Sequence, residues 1–251
     1  MEPKESAVTV AALQKMKRDG RKIVGVVAWD YQMAQIADRA GVDIVSVGDS
    51  VGINLWGQPT ETEVTLEELL VVCKAVRRGV KRALVSCDVP FGPLREGTDA
   101  AVSAAARLAR EGGADIVKVY GVPETVRAIV RAGIPVFAEF HGTGVLAEKL
   151  VEEARRLEDA GASLLDFRHS GPQAGPTVVR AVRIPVIGGL GGGPWLDGRM
   201  RMAHAAIGYA ASNLESKTET YANVAKISLD AITSYAEDVR AGRHLKGQRP
   251  A

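Results

Sequence analysis

Charged and ring-bearing side chains recur in this chain at the ends of short Val/Ile-rich runs or directly after them: Trp29 and Asp30, Asp49 and Ser50, Asp88, Lys118 and Tyr120, Glu139 and His141, then Arg168 and His169. Polar residues are scarce within the runs, so their gathering at one end of each is the first functional signal. Glu139, His141 and His169 are residue types that can take or give a proton. Arg168 stays protonated and offers a planar fork for a carboxylate or phosphate instead of a base. Plainer readings exist. Asp49 can cap the segment after it, and Asp88 can start a turn before Val89-Pro90. Lys118 can pair with Asp115 or Glu139, and Arg168 with Glu139 or Asp166. His169 reads equally well as a loop residue. Structural roles for every one of these positions together would be a coincidence.

The runs that position these residues are expected to be strands: Ile23–Ala28, Ile44–Val47, Ala83–Cys87, Ile116–Val119, Val136–Phe140, Leu164–Phe167 and Val186–Gly188, with a weak eighth near Ala206–Gly208. They are nearly continuous in apolar residues, as strands covered on both faces must be. Between them lie helical patterns, such as Leu66, Leu69, Leu70, Cys73 and Val76, or Leu146, Leu150, Val151, Ala154 and Leu157. A last pattern, Ala225, Leu229, Ile232, Ala236 and Val239, predicts a helix over Thr220–Ala241 with an apolar face for a neighbouring subunit. Thr65 and Glu68 have the spacing of a capping box. Gly41, Gly113 and Gly161 each stand where a helix ends in the left-handed conformation before a strand. About eight such βα units predict an α/β fold, a (β/α)₈ TIM barrel, with reactive groups at the C-terminal strand ends. An open doubly wound sheet is the alternative, but no GxGxxG follows the first strand. The glycine run Gly188–Gly193 can cradle a phosphate or let backbone pack closely at the rim.

A chain of 251 residues suits one such barrel, expected here as a single domain over 1–251 with an N-terminal helical extension (1–22) and a C-terminal helix and tail (220–251). The net charge of +2 is scattered, which excludes a nucleic-acid stripe or a polybasic membrane anchor; the basic stretch Arg240–Arg249 reads as a solvated end. The charged N-terminus lacks an apolar signal segment, and no apolar run reaches the ~18 residues of a membrane span. The two cysteines, Cys73 and Cys87, fall on apolar faces and form no disulfide framework. These points predict a cytoplasmic protein.

In order along the chain, Ala28-Trp29-Asp30-Tyr31, VGDSVG at Val47–Gly52, AVRRG at Ala75–Gly79, DVPF at Asp88–Phe91, IVKV at Ile116–Val119 and IPVIGGLGGG at Ile184–Gly193 resemble ketopantoate hydroxymethyltransferase (3-methyl-2-oxobutanoate hydroxymethyltransferase). The resemblance spans residues 20–140 closely and 155–242 more loosely. It implies a barrel of the phosphoenolpyruvate mutase–isocitrate lyase superfamily, whose members bind 2-oxo acids through Mg²⁺ and pass through enolate-like intermediates. The matching metal positions are Asp49 and Asp88. Hard Mg²⁺ prefers carboxylate oxygen, keeps several waters and can chelate a 2-oxo acid. Ser50 matches the place where the family holds the substrate carboxylate, and Lys118 a lysine directed at the developing oxyanion. Trp29 and Tyr120 count with the substrate-binding set. The family reaction implies 5,10-methylenetetrahydrofolate as one-carbon donor, and a homo-oligomer.

Three positions depart from the pattern. Tyr120 replaces a glutamate of the metal shell, Glu139 a histidine, and Arg168 the glutamate that removes the substrate's C3 proton. The loop after the fifth strand is also shortened, between Gly142 and Leu146. The expected activity is therefore aldol-type one-carbon transfer to a 2-oxo acid with an altered proton-transfer site, drawing its acid–base and anion-binding groups from Lys118, Glu139, His141 and Arg168. Two alternatives are a 2-oxo dicarboxylate lyase, decarboxylase or hydrolase with Arg168 on the distal carboxylate, and a non-catalytic barrel that only binds.

Overall fold

A strand covered by helices outside and side chains inside must place apolar groups on both faces, and a parallel sheet of such strands can close without leaving an edge. The computed structural model, which describes residues 7–247, has this arrangement: eight parallel strands in a closed barrel, in sequence order. The strands are β1 (Ile23–Val27), β2 (Ile44–Val47), β3 (Leu84–Asp88), β4 (Ile116–Tyr120), β5 (Val136–His141), β6 (Leu164–Arg168), β7 (Val186–Gly188) and β8 (Gly198–Met202). The helices are α1 (Val10–Arg18), α2 (Tyr31–Arg39), α3 (Val51–Trp56), α4 (Leu66–Gly79), α5 (Phe91–Glu96), α6 (Thr98–Arg107), α7 (Pro123–Arg131), α8 (Ala147–Asp159), α9 (Ala174–Ala181), α10 (Ala203–Ile207) and α11 (Val224–Arg240). The chain falls into two compact units, one running to Arg201 and the other starting at Met202.

Local chemistry accounts for several boundaries. Thr65 and Glu68 form the capping box of α4, with the Glu68 carboxylate accepting from the Thr65 backbone N–H at 2.8 Å. Gly41, Gly113 and Gly161 take φ of 80°, 77° and 100°, a region in which a Cβ is strained. Cys73 on α4 and Cys87 on β3 are both free and buried. No helix among the described residues is long and apolar enough to cross a membrane.

One strand is corrected. The eighth lies at Gly198–Met202, and Ala206–Gly208 belongs instead to the end and cap of α10. In β8 the arginines Arg199 and Arg201 are exposed while Met200 is buried. A strand with one wet face alternates and carries no continuous apolar run. The last helix begins at Val224 rather than Thr220, because the Asn223 side chain caps it by accepting from the Lys226 N–H (3.0 Å). In α11 only Ala225 is buried, whereas Ile227, Leu229, Ile232, Tyr235 and Val239 are exposed. Residues 1–6 of the expected N-terminal extension and 248–251 of the basic tail lie outside the described residues.

Strand residues two apart share a face, so the barrel interior is layered. The lowest layer is apolar: Ile23, Ile44, Leu84, Ile116, Phe137, Leu164, Ile187 and Met200, closed from below by Leu13 and Met16 of α1. Two residues further along the same faces come Ser46, Ser86, Lys118, Glu139 and Asp166, and beyond them Asp88, Tyr120, His141 and Arg168. Polarity rises up the barrel because the floor carries the burial.

Candidate active site

The strand register sets the neighbours. Asp88 lies beside Lys118 across β3–β4, Tyr120 beside Glu139, Glu139 beside Asp166, and His141 beside Arg168. These ends enclose a cavity of about 360 Å³. Its wall contains Asp49, Ser50, Glu61, Asp88, Lys118, Tyr120, Glu139, His141 and Arg168, with Val89, Phe91, Leu94 and Val119 as its apolar part.

Lys118 is the hub. Its Nζ lies 2.6 Å from Glu139 Oε2, 3.3 Å from Asp166 Oδ2 and 3.7 Å from Asp88 Oδ2. Burial alone favours loss of the ammonium proton, but Asp88, Asp166 and Glu139 together outweigh it and hold the proton well above the ordinary lysine range. The other Glu139 oxygen, Oε1, accepts from Arg168 Nη1 at 2.8 Å and lies 3.0 Å from His141 Nε2. Burial opposes the charge on Glu139, yet Lys118 and Arg168 prevail and hold its pKa near 2. Asp166 is fixed from its other side, where Oδ1 accepts from the Gly189 N–H at 3.0 Å.

The β2–β3 side is built differently. Asp88 Oδ2 accepts a backbone hydrogen bond from Asp49 N–H at 3.3 Å. Asp88 Oδ1 is buried and has no hydrogen-bond partner among the described residues. Burial, with the charges of Asp49 and Glu139, raises the Asp88 pKa to about 7 against the pull of Lys118. Asp49 is raised as well, by burial first and by Glu139 and Glu61. Two desolvated carboxylates short of positive charge and one buried oxygen without a partner form a donor set suited to a hard cation. Among the described residues no group of three or more His, Cys, Asp or Glu side chains could enclose a metal. A cation on Asp49 and Asp88 would therefore keep positions for water and substrate, as Mg²⁺ does.

The plainer pairings are thus sorted: Lys118 pairs with Glu139 while Asp115 pairs with Arg77 (2.9 Å), and Arg168 pairs with Glu139. Asp30 caps α2, accepting from Met33 N–H at 2.8 Å. Trp29 is buried and is not part of the cavity wall. His169 also lies outside that wall; it is the single non-glycine residue with positive φ (52°) among the described residues, and its ring centroid is 6.3 Å from that of His141. In the glycine run, a Cβ on Gly188 would fall 2.3 Å from the Leu196 side chain, so close packing accounts for that glycine. Sequence reasoning passed over Asp166 as a site residue, although its spacing from Arg168 puts both on one face. It also missed Glu61, which arrives from a short 3₁₀ turn (Glu61–Glu63) with no local pattern to mark it.

Against known proteins, residues 7–244 match the family model of ketopantoate hydroxymethyltransferase. The chain belongs to that family, whose members are enzymes that transfer a hydroxymethyl group. It is 36% identical to the 3-methyl-2-oxobutanoate hydroxymethyltransferase of a Cyanothece species, over 93% of this chain and 96% of that one. It is also 36% identical to the protein of the same name from Moorella thermoacetica, over 95% of each. Among solved structures, a phosphoenolpyruvate phosphomutase from Streptomyces platensis subsp. rosaceus shares the fold with a TM-score of 0.66, at 15% identity, covering 94% of this chain and 88% of that one. A phosphonopyruvate hydrolase solved with oxalate and Mg²⁺ does so with a TM-score of 0.61 at 14% identity, covering 96% and 91%. Membership of a family of transferases removes the non-catalytic reading.

Proposed function

We propose that this protein is a Mg²⁺-dependent transferase that joins a one-carbon unit at the oxidation level of formaldehyde to the carbon next to the carbonyl of a 2-oxo acid, with 5,10-methylenetetrahydrofolate as donor. The observation carrying this reading is the pair Asp49 and Asp88, desolvated, with Asp88 Oδ1 unpartnered among the described residues and Lys118 beside it. When bound there, Mg²⁺ supplies Lewis acidity that polarises a 2-oxo acid. Ser50, on the cavity wall next to Asp49, is assigned to the substrate carboxylate. Lys118, fixed in position before any reaction, faces charge developing on the carbonyl oxygen, and such preorganised charge is effective in a water-poor pocket. Val89, Phe91, Leu94 and Val119 give the substrate's alkyl group an apolar wall. Tyr120, exposed at the mouth, contributes a substrate contact. Proton transfer differs from the family pattern because Arg168 cannot accept a proton.

A second reading rests on Arg168. Only its Nη1 has a hydrogen-bond partner among the described residues, so the outer edge of the guanidinium can bind a distal carboxylate. A 2-oxo dicarboxylate lyase, decarboxylase or hydrolase would use it so. One assay separates the two readings: with Mg²⁺ and 3-methyl-2-oxobutanoate the enzyme is expected to consume formaldehyde or the folate donor. Pyruvate formation from oxaloacetate, with no consumption of a one-carbon donor, would establish the second instead. The exposed apolar residues of α11 support assembly with further copies of the chain, and the free buried cysteines support a reducing, cytoplasmic setting.

A further inference from the structure

Removing a proton from carbon next to a carbonyl requires a base within reach of the cavity, and most candidates on its wall are already committed. Arg168 cannot accept a proton and Lys118 is held protonated by three carboxylates. Glu139 accepts from Lys118 and Arg168, which keep it ionised and occupied. Asp49 and Asp88 are the cation's donors. His141 and Glu61 remain, and they differ in how firmly they are held. Glu61 stands on a short turn, and its side chain makes no hydrogen bond or ion pair among the described residues. His141 follows Glu139 by two residues on β5, so both side chains face the barrel interior, and its Nε2 lies 3.0 Å from Glu139 Oε1.

That contact fixes the tautomer. An ionised carboxylate only accepts, so Nε2 must carry the hydrogen and donate it. The neutral ring then has its lone pair on Nδ1, for which no hydrogen bond exists among the described residues. The ring is bracketed by the Tyr120 ring (centroids 5.7 Å apart) and by His169 at 6.3 Å. Glu153 on α8 is a further acid within electrostatic reach of the ring. Arg168 stands level with His141 across β5 and β6, and Glu139 Oε1 contacts both side chains.

We infer that His141 is the catalytic base of this pocket, accepting the C3 proton of the 2-oxo acid on Nδ1, and that Glu139 is the positioning residue that orients the ring. This rests on the transferase reading above. In the step, the C3–H bond breaks and an Nδ1–H bond forms. The freed electron pair enters the C2–C3 bond while the carbonyl oxygen takes the negative charge. Hydrolysis of 5,10-methylenetetrahydrofolate by one water frees formaldehyde and leaves tetrahydrofolate; attack on that formaldehyde turns the pair into the new carbon–carbon bond, and the former aldehyde oxygen recovers the proton from His141. The acid, the folate donor and one water supply every atom, and no oxidant is needed.

Exchange of the C3 hydrogen of 3-methyl-2-oxobutanoate in D₂O, followed by ¹H NMR with Mg²⁺ and no one-carbon donor, isolates this step. His141→Gln is expected to slow exchange about 10²–10⁴-fold, the usual contribution of general base catalysis, while calorimetry still detects 2-oxo acid binding. His141→Gly is expected to regain exchange when imidazole is added, which a purely structural role would not allow. Glu139→Gln is expected to lose about 10-fold or more in exchange with substrate affinity little changed, since misorientation alone costs this much. Wild-type exchange in His141→Gln, or loss of exchange in Glu61→Gln but not in His141→Gln, would overturn the assignment and leave the transferase reading standing. No binding or exchange by the unaltered enzyme would remove both.

Discussion

Just past β2 the half-buried Asp49, and at the end of β3 the buried Asp88, have too little positive charge around them, and both are pushed above their ordinary pKa. A few ångströms away on β4–β6, Glu139 is equally buried and is pulled down to about 2. The difference is the company each keeps. Glu139 touches Lys118, Arg168 and His141, whereas among the described residues Asp88 has Lys118 at 3.7 Å, a single backbone N–H and one bare oxygen. Burial penalises a carboxylate's charge everywhere, and only neighbouring cations decide whether it persists. One arc of the rim carries its own counter-charge; the other is short of it.

Substitutions can break this contrast, most severely on the incomplete arc. Asp88→Asn is expected to lower turnover about 10³-fold, corresponding to the several kcal/mol of metal-based stabilisation, and to weaken Mg²⁺ binding in calorimetry without lowering thermal stability. Unchanged Mg²⁺ binding would mean that this arc is not the cation site. Lys118→Met removes the charge shared by three carboxylates, so about 10²–10³-fold in turnover and about 3–5 kcal/mol of stability in urea denaturation are expected to go. The self-sufficient arc can be probed with acid. The folded pKa of Glu139, about 2, lies below its ordinary 4.5, so its contribution is full above pH 4.5 and fades as pH falls toward 2. The gap between those two pKa values corresponds to about 3 kcal/mol of folding stability. Wild-type protein is therefore expected to lose stability through this window, while Glu139→Gln changes less. Smallest is Arg168→Gln: the side chain is about one-third exposed, and its removal is expected to change unfolding free energy by less than about 1 kcal/mol.

Much of the barrel was legible because a strand buried on both faces announces itself as an apolar run; Ile44–Val47 and Val186–Gly188 coincide with the observed strands. Gly198-Arg199-Met200-Arg201-Met202 did not, since its arginines face water and only alternate residues are inside. The carboxylates and cations at the strand ends were visible individually. Their pairing was not, because whether Arg168 meets Glu139 or Asp166 depends on the shear of β5 against β6, and here His141 falls level with Arg168. Asp166 was hidden for a related reason: one acid within Leu164–Arg168 reads as an interruption until the face it shares with Arg168 is counted. Glu61 reaches the pocket through tertiary placement alone.

The floor built by Leu13, Met16 and the ring of apolar side chains around them closes the barrel from below. Whatever sits deepest must enter first and leave last. On the proposed reaction the small acid would queue ahead of the bulkier carrier, and a lingering product would hold the door shut against the next turnover.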